Sequence, residues 1–104
     1  MSEEELALFD LLRKENLSKS EREKVKAASI GLLASLQALI SSIDHFTEKE
    51  QTQAEVKTSI RDFLHMELPD SAFSVQDKED RVGKVYGFVW QQSVSGRFAL
   101  GAVH

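Results

Sequence analysis

Residues 20–43 read SEREKVKAASIGLLASLQALISSI, and the fold is decided there. Ser20 followed by Glu23 is the capping-box pattern, in which two side chains satisfy amides that the first helical turn leaves open. The helix therefore starts at Ser18 or Ser20. Val25, Ala28, Leu32, Leu36, Leu39 and Ile43 then recur at steps of three and four, and Leu33 and Ile40 widen the stripe. That spacing predicts a helix of about twenty-five residues with a broad apolar face. Gly31 costs such a helix about 1 kcal/mol relative to Ala, and its missing side chain suits a close helix crossing. Ser29, Ser35, Gln37, Ser41 and Ser42 interrupt the apolar run, which is too polar and too short to span a bilayer.

The flanks continue the helical pattern. Upstream, Ser2 caps a segment over residues 3–14, and Glu3, Glu4 and Glu5 suit the positive end of its dipole. Leu8, Leu11 and Leu12 form its stripe beside Phe9, Arg13 and Lys14 close its last turn, and Glu15-Asn16 stops it. Downstream, Thr47 and Glu50 predict a second capping box, with Phe46 stapled onto the stem of Gln51. Ala54, Val56, Ile60, Phe63 and Leu64 form the next stripe, which Leu68-Pro69 ends, because the residue before proline avoids helical backbone. Ser74 and Asp77 cap a fourth segment with Val75, Val82, Val85, Tyr86 and Val89 on one face and Phe88 and Trp90 beside it. The β-branched residues over 82–89 admit a strand; the spacing and the upstream cap favour a helix. The expected fold is all-α, about four helices in a small bundle, with the second and third as an antiparallel pair. The helical domain covers 1–92, and the tail 93–104 either docks through Phe98, Leu100 and Val103 or frays.

Composition narrows the function. The 104 residues suffice for one modest core. The net charge of −4 lacks the lysine and arginine excess of a free-standing nucleic-acid binder. With no cysteine, disulfides, thiolate nucleophiles and cysteine zinc sites are excluded. The acidic start, Ser2-Glu3-Glu4-Glu5, is unlike a signal peptide, so a cytoplasmic location is expected.

Catalytic motifs are incomplete. Gly83-Lys84 is followed by Val85 and lacks the glycine-rich approach of a phosphate loop. Pro69-Asp70 resembles the first piece of a metal-dependent nuclease motif, but Lys78 and Lys84 follow Gln76 and Val82 at the positions where a carboxylate is needed. It reads as a helix stop. His45, His65 and His104 fix no ligand geometry, and no serine sits in a nucleophile elbow. The run Asp77-Lys78-Glu79-Asp80-Arg81 reads as the solvated start of the fourth helix. Lys19, Arg22, Lys24 and Lys26 cluster but alternate with Glu21 and Glu23, which leaves Lys19, Lys24 and Lys26 as candidate weak phosphate contacts. Tyr86 and Trp90, four apart, are packing-edge residues of the kind that anchor interfaces. Gly83 and Gly87 suit close approach of another helix.

The order of these pieces resembles a known family. Glu3-Glu4-Glu5-Leu6-Ala7-Leu8-Phe9-Asp10-Leu11-Leu12 is similar to the acidic opening of the C-terminal helical domain of type I restriction enzyme R subunits. Phe46, Lys49, Gln51, Ala54, Val56, Ile60, Leu64 and Leu68-Pro69 match its middle, and Arg81, Val82, Val85, Tyr86 and Val89 its last helix. The resemblance covers residues 3–92. It departs at Phe46, where the family has Trp, and at Gln53, where the family's Arg is missing along with any contact it would make. The resemblance implies an assembly module without catalytic residues, metal or cofactor of its own. ATP and Mg would bind in other domains of the parent subunit. Its partners would be those domains and the methyltransferase core of modification and specificity subunits. Phe9, Tyr86 and Trp90 are then the candidate interface. Two other functions compete with docking: guiding DNA through Lys19, Lys24 and Lys26, and self-association of an unrelated helical protein through the fourth helix.

Overall fold

Reciprocal serine caps set three of the helix starts, those after Ser2, Ser18 and Ser74. In the computed structural model, which describes residues 2–43 and 46–94, α1 runs Glu3–Leu12 and α2 Lys19–Ser41. The Ser2 hydroxyl accepts from the Glu5 amide while Glu5 accepts from the Ser2 amide, and Ser18 and Glu21 repeat the exchange for α2. The α2 box is therefore Ser18–Glu21, two residues ahead of the Ser20–Glu23 pattern. A start at Ser18 places Glu21, and not Glu23, at the third helical position.

The Thr47 box does not form. Residues Phe46–Glu48 make one 3-10 turn, and α3, Glu50–Glu67, begins after Lys49 with no side-chain cap. Thr52 instead donates to the carbonyls of Phe46 and Lys49, and Gln53 to that of Thr47. Phe46 is only 3% exposed and packs inward, so it cannot serve as a staple on Gln51. After Pro69 the chain turns and enters α4, Val75–Val94. Ser74 and Asp77 exchange amide hydrogen bonds of 3.0 and 3.1 Å there, so the segment is capped and helical, with no strand. It runs two residues past the expected domain edge at 92; residues 95–104, with Phe98, Leu100 and Val103, lie outside the described ones.

Consecutive helices pack against each other, and α1 closes on α4. Both hairpin connections, 13–18 and 68–74, sit at one end, where Ser71 donates to Glu21 at 2.6 Å. The bundle is thus up-down-up-down, and α2 and α3 are the antiparallel pair expected. Its core joins Leu8 and Leu12 of α1, Leu32 and Leu36 of α2, Ile60 and Leu64 of α3, and Val85 and Val89 of α4. Each fully buried side chain of this kind contributes about 1.5–3 kcal/mol. Ser29 is also buried, and its hydroxyl donates to the Val25 carbonyl. Gly31 marks the α2–α3 crossing: a Cβ there would lie 3.2 Å from the Phe63 ring. Val75, expected on the inner face, is 70% exposed because it stands at the first turn of α4. Among the described residues, no helix is long and apolar enough to cross a membrane.

Candidate functional site

The aromatic corner lies at the end of the bundle opposite the two hairpin connections. Helix α4 displays Tyr86 and Trp90 one turn apart, with ring centroids 6.2 Å apart. The 3-10 turn brings Phe46 edge-on to both, at 6.5 Å from Tyr86 and 6.0 Å from Trp90 with planes 79° apart. Such edge contacts are worth about 0.5–1.5 kcal/mol each beyond burial. Tyr86 and Trp90 remain half-buried, so each keeps surface to offer. Burial pushes the Tyr86 hydroxyl up from its ordinary value, and Lys57 stands 5.6 Å over its ring. A shallow trough borders Tyr86, lined by Glu50, Gln53, Ala54 and Lys57. Gln53 takes part in it as a neutral group.

Beside this corner the outer face of α4 is flat. Gly83 and Gly87 stand about 40° apart on the helix wheel, and a Cβ on either would meet nothing within 4 Å. No helix among the described residues takes the close approach these glycines allow. Val94, 58% exposed, continues the same face. Phe9, the third candidate interface residue, is corrected: it is 7% exposed and belongs to the core, because the stripe of α1 turns it toward α2.

The charge run at the start of α4 is also corrected. Lys78 is 4% exposed, and its Nζ donates to the His65 carbonyl and pairs with Asp70. Asp77 accepts from Lys14 at 2.9 Å, and Lys14 also reaches the Ala72 carbonyl at 2.8 Å. Those bonds, that of Lys14 first and then that of the Ser74 amide, hold the Asp77 carboxyl down at about 2. Arg61, then His65, lowers Glu79 likewise; His65 Nε2 lies 2.6 Å from Glu79 Oε2. Arg81 donates to the Leu12 and Arg13 carbonyls at the end of α1, and with Lys14 it flanks the Phe73 ring at about 5.5 Å. The run is the hub that ties the hairpin end together. Its sequence signal was register: Lys78 stands four residues before Val82, on the buried valine stripe.

Among the other candidates, Asp70 is engaged with Lys78, and His45 and His104 lie outside the described residues. No group of His, Asp or Glu suited to a metal ion occurs among the described residues. Lys19, Lys24 and Lys26 are exposed on the first turns of α2. They do not share a face: Lys26 is about 20° from Lys19 around the helix, but Lys24 is about 140° away. Comparison of the chain with protein-family models, curated proteins and solved structures gives no match.

Proposed function

We propose that the chain is a non-catalytic docking module that attaches a type I restriction motor and nuclease subunit to its methyltransferase core. Tyr86 and Trp90 are its anchors, and the outer face of α4 is its landing surface. The observation that carries this reading is the pairing of two half-exposed aromatic rings with a strip where two glycines leave the backbone bare. Large aromatic side chains dominate interface energies, and a bare helix lets a partner approach closely. The family resemblance supplies the partner's class.

The test mixes the chain with a purified methyltransferase core and follows co-migration by size-exclusion chromatography with light scattering at low and moderate salt. Complex formation should survive moderate salt, because an apolar contact is screened little. Gly87→Lys should abolish it while leaving folding intact, since the added side chain meets only solvent in the free domain. Trp90→Ala should weaken it by about 2 kcal/mol, the scale of an aromatic anchor. Binding unchanged in both variants sinks the proposed surface. If the core is ignored while duplex DNA binds at low salt, the guide function replaces docking.

A further inference from the structure

The connection between α1 and α2 encloses a recess that the docking function does not use. It turns at Asn16, whose φ of 63° is a left-handed conformation that asparagine tolerates. The recess holds about 310 Å³, near the small end of ligand pockets. Arg13, Lys14 and Arg22 line it, with Glu15 as the carboxylate of the same lining and Phe9 at its base.

The recess holds hydrogen-bond donors in excess of its acceptors. Asp10 sits 3.3 Å from Arg13 Nε, and among the described residues the two terminal nitrogens of that fork make no hydrogen bond. Lys14 uses two of its three donors, on Ala72 and Asp77. The Arg22 guanidinium carbon lies 5.6 Å over the centroid of the Phe9 ring and, among the described residues, the group makes neither an ion pair nor a hydrogen bond. Asp10, Asp77 and Glu15 balance the three cations in formal charge, so the surplus is in directed N–H groups. Contact with the Phe9 ring also keeps the Arg22 guanidinium at the recess.

We propose that this recess binds a phosphate-bearing anion, gripped by Arg22 and Arg13 and contacted by the remaining Lys14 donor. Phosphate fits because it offers several acceptor oxygens at once. Guanidinium forks bind such oxygens in pairs, whereas a carboxylate has only two oxygens to share among three cations.

The experiment is an amide NMR titration of the whole chain at constant ionic strength with pyrophosphate, inorganic phosphate, sodium chloride as control, and a short DNA duplex. Pyrophosphate should give saturable shifts confined to residues near 9–22, absent with chloride. Arg22→Gln should weaken binding about tenfold, the loss of a charge-assisted pair, with an unchanged urea midpoint showing that the fold is intact. Arg22→Lys, which keeps the charge but not the fork, should fall between. Displacement of pyrophosphate by the duplex would identify a nucleic-acid backbone as the source of the phosphate; failure of the duplex to displace it would identify a small phosphate compound. Shifts extending to Lys24 and Lys26, absence of saturation, or affinity unaltered by Arg22→Gln would each overturn the site.

Discussion

The two ends of the bundle are held by different physics. At the hairpin end, Lys14, Lys78 and Arg81 each reach across to a carbonyl on another part of the chain. Those bonds are directional and depend on charge. At the far end, Phe46 of the 3-10 turn meets the Tyr86 and Trp90 rings edge to face, and those two rings lie tilted against each other, with no hydrogen bond between the three side chains. That contact is apolar and indifferent to salt. The charged end fixes the register of four helix termini. The aromatic end leaves rings partly uncovered, and so keeps surface for a partner.

The strongest way to break the comparison is Phe46→Ala. Removing a ring that is 3% exposed should cost about 3–5 kcal/mol. By calorimetry the melting midpoint should fall by more than about 10 °C, and the near-ultraviolet dichroism of Tyr86 and Trp90 should collapse. A near-native midpoint would show that the aromatic corner holds nothing together.

Arg81→Ala should come next, at about 1.5–3 kcal/mol, because two carbonyls at the end of α1 lose a charged donor. Unlike Phe46→Ala, its cost in urea melts should shrink as salt is added. A salt-independent cost would mean that Arg81 acts by packing on Phe73 alone.

Glycine substitutions sharpen the contrast between inner and outer helix faces. Gly83→Ala and Gly87→Ala should each stabilise the chain by about 0.5–1 kcal/mol, since alanine is the better helix former and the added methyl meets nothing. Gly31→Ala should gain less, because its methyl presses on Phe63. Equal gains at all three positions would contradict the close α2–α3 crossing.

The smallest effect is acid sensitivity. Asp77 is held at about 2, below its ordinary 3.8. Its contribution to stability is complete above the ordinary value and disappears as pH falls through the lowered one. Urea midpoints taken between pH 5 and pH 2 should therefore fall less steeply for Asp77→Asn than for the parent chain. Identical slopes would show that the Lys14–Asp77 contact does not matter in solution.

Much of this was legible in the sequence because it is local. Three-and-four spacing placed the stripes of α2, α3 and α4, and Ser74–Asp77 marked the start of the last helix. The Thr47 box failed because a distant demand won: Phe46 is drawn into the gap beside Tyr86 and Trp90, which the chain supplies forty residues later. The pairing of Tyr86 with Trp90 could be read from their spacing; their contact with Phe46 could not. Phe9 was misplaced as interface because α1 has few residues to define its inner face. Lys78 was misread because a charge was weighed above its register. No spacing rule joins Arg13 to Arg22, since the Asn16 turn alone brings them to one recess.

The burial of Lys78 gives the molecule an internal clock for its own opening. An amine 4% exposed and bonded to a carbonyl and a carboxylate is shielded from water-soluble acylating reagents. Exposed neighbours such as Lys19 and Lys24 would acquire the label within the reagent's lifetime, while Lys78 waits for α3 and α4 to part. Once acylated it could not return to its seat, because the added group neither carries the charge nor fits the space. The mass-spectrometric ratio of label at Lys78 to label at Lys19 would count separations of that hairpin, one irreversible event at a time.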